Sequence, residues 1–551
     1  MSLHPQAIEA IPQDTLRVAQ AAFPKGKNPI MVLRDHLSTL FSDLDFFALY
    51  SVLGQPAYPP YRLMLVSVFQ FMENLSDRQA ANAVRARIDW KYALGLSLTD
   101  SGFDASILTE FRNRLVENEI QDFALNRILE FCKHEGLIKT NSKQRTDSTH
   151  VLARIRHLNR LSLVGETVRA ALNTLALTQP QWILAIMQPE WETRYVHRVE
   201  DFRLPKSENQ LAMTANQIGK DGQDILDAIQ TSPYRDALNV LPRIRLLLKV
   251  WQQQFDVTEL GFQFKPSDFK VSSGEKVISP YDEEAAFSSK GEVVWEGYKV
   301  HISETCDDDL PPIITSIVTT AASVPDQVMG SYIQDYLEEK DCKPTEHLVD
   351  GGYLSAAYLE ASERLGIEVI GPTPQTSHWQ SKVKEGITMD QFELYWEQHY
   401  AQCPAGKRSI SWRKVQKNGV SAIQVRFAKH DCQGCPLRDK CTRSQTSGRT
   451  LQLKEQKTHE LLAKMRLKSK DPETLQRYQK RSGIESTISQ GVRGFGLRYS
   501  RYLGLEKTTL QHTLTAAAIN FERLARWWSQ TRPTRPKRPP SAWGRLLKTR
   551  A

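Results

Sequence analysis

The stretch Tyr478-Gln-Lys-Arg-Ser-Gly-Ile-Glu485 combines a phenol, a guanidinium and a carboxylate at positions i, i+3 and i+7. If the stretch is helical, this spacing places Tyr478, Arg481 and Glu485 on one face. That face would make a poor core, but its carboxylate could hold a metal ion and its arginine could hold a phosphate. The alternative is a solvated helix face with an ordinary Arg–Glu ion pair. The chemical interpretation therefore needs further carboxylates from elsewhere in the chain.

Two distant aspartates could supply those carboxylates. Asp147 lies in the Thr-rich stretch Thr146-Asp-Ser-Thr-His150, which predicts a short strand. Asp350 ends the short apolar run that begins at His347, and the two glycines after it provide a tight exit turn. Ligands of open α/β sheets collect at the carboxyl ends of strands, which is where Asp350 falls. An isolated aspartate on a strand is more often an edge or turn residue, so these acids matter only if they converge.

The run Asp307-Asp-Asp309 is a weaker candidate for a metal site. Consecutive side chains rarely converge, so the expectation here is a solvated turn between strands at 293–302 and 313–319. Helices at 325–339 and 356–365, with strands at 347–350 and 367–370, extend this region into an alternating α/β pattern. The pattern predicts a sheet that can carry both Asp147 and Asp350.

Composition restricts the class of protein. The chain has 551 residues, 40% hydrophobic and 25% charged, which is typical of a multidomain globular protein. No uninterrupted apolar run reaches the ~18 residues of a membrane span. The N-terminus lacks the pattern of a signal peptide, so we expect a cytoplasmic protein. The net charge of +9 makes a polyanion a plausible partner.

The cysteines are few and clustered. Seven in such a length do not make a disulfide framework, and in a reducing compartment clustered cysteines are better explained as metal ligands. Cys432 and Cys435 form a Cys-x-x-Cys pair close to Cys403 and Cys441. They flank a hairpin predicted by Asn418-Gly419, which suits a type I′ turn. Four thiolates could hold one structural zinc, and the alternative is four unligated thiols.

The remaining segments are helical or basic. Residues 1–140 show helical periodicity, with a capping box that begins at Ser76. Their arginines could dock on DNA or could simply be solvated on a helical bundle: Arg78, Arg85, Arg87, Arg112 and Arg114. Beyond Glu485, Arg493 and Arg498 stand in a Gly/Arg/aromatic stretch suited to a phosphate backbone. The tail is rich in Pro, Arg and Lys and without acidic residues, so its charge favours nucleic acid.

Taken together, these motifs resemble the DDE site of bacterial insertion-sequence transposases, in which two strand-borne aspartates and a helix-borne glutamate act together. The resemblance rests on Thr146–His150, on Trp295-Glu-Gly-Tyr-Lys-Val-His301, on Val349-Asp-Gly-Gly-Tyr353 and on the Tyr-x-x-Arg-x-x-x-Glu signature. The helical residues 38–130 and the cysteine segment also resemble parts of that family. The family signature continues with a lysine seven residues after the glutamate. Here that residue is Val492, and Arg493 or Arg498 is the expected substitute.

The resemblance implies an α/β multidomain fold built around an RNase H-like mixed sheet with flanking helices. It implies this division of the chain: 1–140, a helical DNA-binding domain; 141–156, the first core strand; 157–262, a helical insertion; 263–375, the rest of the core; 376–465, a β-hairpin and Cys-rich insertion; 466–528, the catalytic helix region; and 529–551, a basic tail.

The resemblance also implies the chemistry. Asp147, Asp350 and Glu485 would hold two Mg²⁺ or Mn²⁺ ions for DNA strand cleavage, followed by transfer of the 3′ ends into target DNA. Tyr478 and Arg481 would hold a phosphate near the cut. Because two DNA ends must be joined, a homodimer on paired terminal repeats is implied. Two alternatives remain: a catalytically inactive, transposase-derived DNA-binding protein, and a stand-alone RNase H-like nuclease.

Overall fold

The structure is a computed structural model. It describes residues 1–24, 28–199, 204–205, 207–258, 261–266, 269, 271–272, 274–373, 379–417 and 420–530. The predicted Asn418-Gly419 turn and the basic tail from residue 531 lie outside these residues. None of the described helices combines the length and the apolarity that a membrane span requires.

The helices in chain order are α1 (Gln13–Ala22), α2 (Pro29–Leu37), α3 (Pro60–Met72), α4 (Asp77–Ala86), α5 (Ile88–Leu94), α6 (Ser106–Glu117), α7 (Phe123–His134), α8 (Arg160–Thr178), α9 (Pro180–Ile186), α10 (Pro189–Tyr195), α11 (Glu208–Thr231), α12 (Arg235–Asn239), α13 (Pro242–Gln254), α14 (Asp326–Glu339), α15 (Ala356–Leu365), α16 (Lys429–Gln433), α17 (Arg438–Cys441), α18 (Gln456–Lys468), α19 (Pro472–Tyr478), α20 (Gly483–Gly494) and α21 (Leu505–Trp528). The strands are β1 (Lys143–Leu152), β2 (Phe255–Thr258), β3 (Gly261–Phe264), β4 (Ala286–Lys290), β5 (Val293–Thr305), β6 (Ile314–Ala321), β7 (Glu346–Val349), β8 (Glu368–Ile370), β9 (Glu393–Tyr395), β10 (Tyr400–Gln402), β11 (Ser411–Lys417), β12 (Val420–Arg426) and β13 (Thr450–Leu453).

These elements form two compact units. Among the described residues, the first comprises those within 1–137, 311–313 and 513–530, and the second comprises those within 138–310 and 314–512. The expected α/β multidomain architecture is confirmed at this level. All the acids, arginines and cysteines singled out from residue 147 to residue 498 belong to the second unit.

The first unit is helical, as predicted, and the capping box at Ser76 is present. Most of the arginines singled out in this unit have internal partners. Arg112 is 5% exposed and its Nη2 lies 2.6 Å from an Asp77 carboxylate oxygen. Arg114 donates to the carbonyl of Leu49, and Arg85 donates to the carbonyl of Phe103. These contacts favour a structural role for them within the bundle.

The second unit contains a six-stranded mixed sheet with β1 at its centre. β1 runs antiparallel to β5, with Asp147 opposite Ile302, and parallel to β7, with Thr146 opposite Val349. The strand order is β4-β5-β1-β7-β8, and β6 pairs with β5. At Gly297, where φ is +148°, a Cβ would overlap the backbone of the β1 exit at Val151 and Ala153. The glycine therefore lets β5 pass close to the end of the strand that carries Asp147.

Two further regions complete the second unit. Helices α8–α13 occupy the span predicted to be helical and share one apolar core, in which Leu247 and Trp251 are buried. Pro242 begins α13, where its fixed φ suits the first helical position. The predicted strands β11 and β12 are paired, and β13, which was not predicted, adds a third strand beside β12.

Candidate active site

Asp147 and Asp350 lie side by side on neighbouring parallel strands. Thr146 on β1 is in register with Val349 on β7. Asp147 directly follows Thr146 on β1, and Asp350 directly follows Val349 at the exit of β7. Asp147 is 8% exposed, and one of its oxygens accepts the N–H of Ser148 at 2.8 Å. Asp350 accepts the N–H of Gly352 at 2.8 Å, so the glycine turn orients its carboxylate. The two acids from distant parts of the sequence therefore converge.

The signature segment is not one continuous α-helix. α19 ends at Tyr478, a 3-10 turn spans Gln479–Ser482, and α20 begins at Gly483. Arg481 nevertheless faces the aspartates, with its Nη1 3.4 Å from Asp147 Oδ2 and 3.5 Å from Glu485 Oε1. It is also hydrogen-bonded to the phenol of Tyr478. All three signature side chains thus belong to one cluster with Asp147.

The electrostatics of the cluster centre on Asp147. Burial raises the pKa of Asp147, and the neighbouring Asp350 raises it further, while the Ser148 N–H and Arg481 lower it. Glu485 differs from it in exposure, with 66% of its side chain accessible. The Arg481 guanidinium is therefore the cation that two of the three acids share.

A second layer of polar side chains supports the aspartates. Ser148 donates to Asp326 at 3.1 Å, and Lys299 Nζ lies 2.9 Å from the other oxygen of Asp326. Tyr353, which is fully buried, shares a 2.7 Å hydrogen bond with His301. These residues support the Asp350 turn and the middle of β1 at Ser148 from behind.

A cavity of about 440 Å³ opens beside this layer. Its lining includes Ser148, His150, Lys290, Trp295, Lys299 and Asp326. The cavity brings cationic and aromatic side chains together beside Ser148, the residue after Asp147, a combination suited to a nucleotide chain.

The two basic residues after α20 have different surroundings. Arg498 is half-buried and donates to the Thr149 hydroxyl at 3.2 Å, so it lies beside the strand that carries Asp147. Arg493 is exposed near the end of α20. Of the two, Arg498 is therefore the one placed at the candidate site.

The four clustered cysteines come together in a second location. Cys403, Cys432, Cys435 and Cys441 all line one cavity. Burial raises the pKa of Cys441 to about 11, and the other three thiols contribute to that rise. All seven cysteines are free thiols. Within the described ranges, however, no three His, Cys, Asp or Glu side chains stand in an arrangement that holds a metal ion.

Several residues of the site were not predicted individually. Asp326 is a fourth carboxylate beside Asp350, and Arg145, Glu304 and Thr487 join the signature segment to the sheet. Each lies far in sequence from its partner, so no local spacing could indicate it. The strand alternation of Arg145 and Asp147 was the one available signal, since residues i and i+2 share a face.

Comparison with known families gives two matches. Residues 402–525 match a family described as "Transposase DDE domain", and residues 17–114 match "Transposase domain (DUF772)". The first match contains Tyr478, Arg481, Glu485 and the four clustered cysteines, whereas Asp147 and Asp350 lie outside both. No curated protein and no solved structure matches the chain. The two matches confirm the resemblance to insertion-sequence DDE transposases.

Proposed function

We propose that this chain, with transposase-family matches in both its N-terminal and C-terminal parts, cleaves the ends of its own insertion sequence and joins the 3′ ends to target DNA. The observation that carries the proposal is the cluster of Asp147, Asp350 and the signature residues Arg481 and Glu485. The sheet supports an RNase H-like core, because its first strands are antiparallel and β7 and β8 run parallel to β1.

The donor set suits a hard divalent cation. Asp147, Asp350 and Glu485 offer only carboxylate oxygens, the ligands that Mg²⁺ or Mn²⁺ prefers. Two of these carboxylates already share a cation, the Arg481 guanidinium, which is a stand-in for a metal ion. Two such ions, when bound, would activate the attacking oxygen and stabilise the leaving oxygen of a phosphoryl transfer.

The protein's own side chains bind and orient the DNA. Arg481 can present its planar fork to phosphate oxygens near the cut, with Tyr478 holding the guanidinium in place. Arg498 and Arg493 extend this cationic surface along α20 and its exit. Strand cleavage and strand transfer are both phosphoryl transfers, so one site can perform both.

The partners follow from the reaction. The substrates are double-stranded terminal repeats and target DNA, and two ends held together call for a homodimer. We assign residues 1–140 to DNA binding, 157–262 to a helical insertion and 376–465 to a Cys-rich insertion before the catalytic helix. The cleavage and joining reactions would take place at the bacterial nucleoid, where the DNA substrate is.

We also propose a structural zinc ion on Cys403, Cys432, Cys435 and Cys441. The support is their shared cavity and the raised pKa of Cys441, which the other three thiols reinforce and which a bound divalent cation would lower. Elemental analysis should find one zinc per chain, lost in Cys435→Ala and retained in Cys132→Ala, a buried cysteine of the other unit. Equal zinc in both variants would contradict the assignment.

The cleavage proposal is tested on DNA from either side of the gene that encodes the chain. With Mg²⁺, wild type should cut these ends and join them to a target plasmid, and Asp350→Ala should do neither. Binding without cleavage by wild type would instead support the inactive DNA-binding alternative. Cleavage without joining would support a nuclease.

A further inference from the structure

A buried ion pair lies next to the candidate active site on the same face of the sheet. Arg145 is two residues before Asp147 on β1, so their side chains point to the same side. Glu304, its register partner on β5, is 0% exposed. Glu304 Oε1 lies 2.8 Å from Arg145 Nε and 2.6 Å from Arg145 Nη2. The pair thus joins two central strands close to Asp147.

The Arg145–Glu304 pair also binds the signature segment on both sides of Arg481. The second Glu304 oxygen accepts the hydroxyl of Thr487 at 2.7 Å, two residues after Glu485. On the other side, Arg145 Nη1 donates to the carbonyl of Lys480 at 2.6 Å, one residue before Arg481. Thr487 is 2% exposed, so water cannot replace its bond.

Gly483 packs directly against the Arg145 side chain of this pair. A Cβ at Gly483 would overlap the Arg145 guanidinium. The segment therefore approaches the arginine as closely as a backbone can, at the point where the 3-10 turn becomes α20.

We propose that Arg145, Glu304 and Thr487 are positioning residues that set the placement of Glu485 and Arg481 relative to Asp147. The proposal deepens the proposed function and rests on it. A buried ion pair gives little net stability compared with apolar packing, because both charges lose their water. The hydrogen bonds of the pair on each side of Arg481 are directional, so they fix the position of α20. That position decides whether Glu485 can reach Asp147 and Asp350.

The test compares two buried threonines. Thr487→Val removes the bond to Glu304, whereas Thr315→Val removes a bond of 2.6 Å to Gln144 away from the signature segment. At saturating DNA and Mg²⁺, Thr487→Val should slow end cleavage roughly 10- to 100-fold, the cost of a misplaced catalytic group. Thr315→Val should stay near the wild-type rate. DNA affinity should be unchanged in both, and Thr487→Ser should restore the rate.

A second measurement needs no catalysis. In DNA-free protein, hydrogen–deuterium exchange over residues 479–490 should rise in Thr487→Val and not in Thr315→Val. Equal cleavage rates for the two variants, or equal exchange over this segment, would overturn the positioning role. If wild type cuts no DNA while the exchange difference is present, the proposed function fails and the anchoring of the segment stands.

Discussion

Replacing Arg481 by Gln should strengthen, not weaken, the binding of Mn²⁺ to the DNA-free protein. The Arg481 guanidinium contacts Asp147 at 3.4 Å and Glu485 at 3.5 Å, so it occupies carboxylate oxygens that a metal ion would need. A metal ion must therefore compete with a cation that is part of the chain. Removing that cation leaves two acids without a shared counter-charge.

The size of the effect follows from the contacts. At 3.4 Å and an effective dielectric constant of about 20, the Coulomb attraction between Arg481 and Asp147 is ~5 kcal/mol, before the opposing free energies are subtracted. Desolvation and side-chain ordering oppose it, and the exposed Glu485 adds little. A net ~1–2 kcal/mol remains, which corresponds to a roughly 5- to 30-fold gain in Mn²⁺ affinity.

Isothermal titration with MnCl₂ measures this directly. Arg493→Gln is the matched control, because Arg493 is an exposed arginine near the end of α20, away from the acids. It should leave the affinity within about twofold of wild type, because a solvent-exposed charge is largely screened. Adding Asp147→Asn to the Arg481→Gln protein should abolish the gain. An Arg481→Gln protein that binds Mn²⁺ no better than wild type would refute the competition.

Other perturbations test the packing, the buried polar groups and the DNA contacts. Gly483→Ala should lower the free energy of unfolding by ~1–3 kcal/mol in urea denaturation, because the added Cβ overlaps Arg145. Gly494→Ala, whose Cβ would meet open space, should be neutral or stabilising. Equal losses of stability in the two variants would contradict the overlap with Arg145. Burial lowers the pKa of His347 to about 4, so below its ordinary 6.5 only the unfolded chain gains the proton. Stability should therefore fall by ~2 kcal/mol between pH 7 and pH 5, and His347→Gln should remove that part of the slope. DNA affinity should fall steeply with added salt, and a flat response would count against phosphate contacts.

The sequence predicted the elements that carry the site better than the contacts between them. A Thr-rich stretch placed Asp147 within a strand, and a short apolar run placed Asp350 at a strand end; the parallel register of β1 and β7 brings them together. The capping box at Ser76 is local chemistry, and the structure has it. Such features depend on residues within a few positions of one another, so a single sequence contains them.

The break in the signature helix could not be predicted in this way. The carbonyl of Lys480 accepts a hydrogen bond from Arg145, 335 residues away, and that contact accompanies a 3-10 turn. The internal pairing of Arg112 with Asp77 is similarly non-local, since 35 residues separate them. Tertiary contacts of this kind override the local pattern of the sequence.

The most direct test of the three-carboxylate site is anomalous diffraction from crystals of the protein with its end DNA and Mn²⁺. We predict manganese at ~2.1 Å from oxygens of Asp147, Asp350 and Glu485, with Arg481 turned onto a DNA phosphate. Manganese bound elsewhere, or Arg481 still between Asp147 and Glu485 with DNA in place, would contradict it.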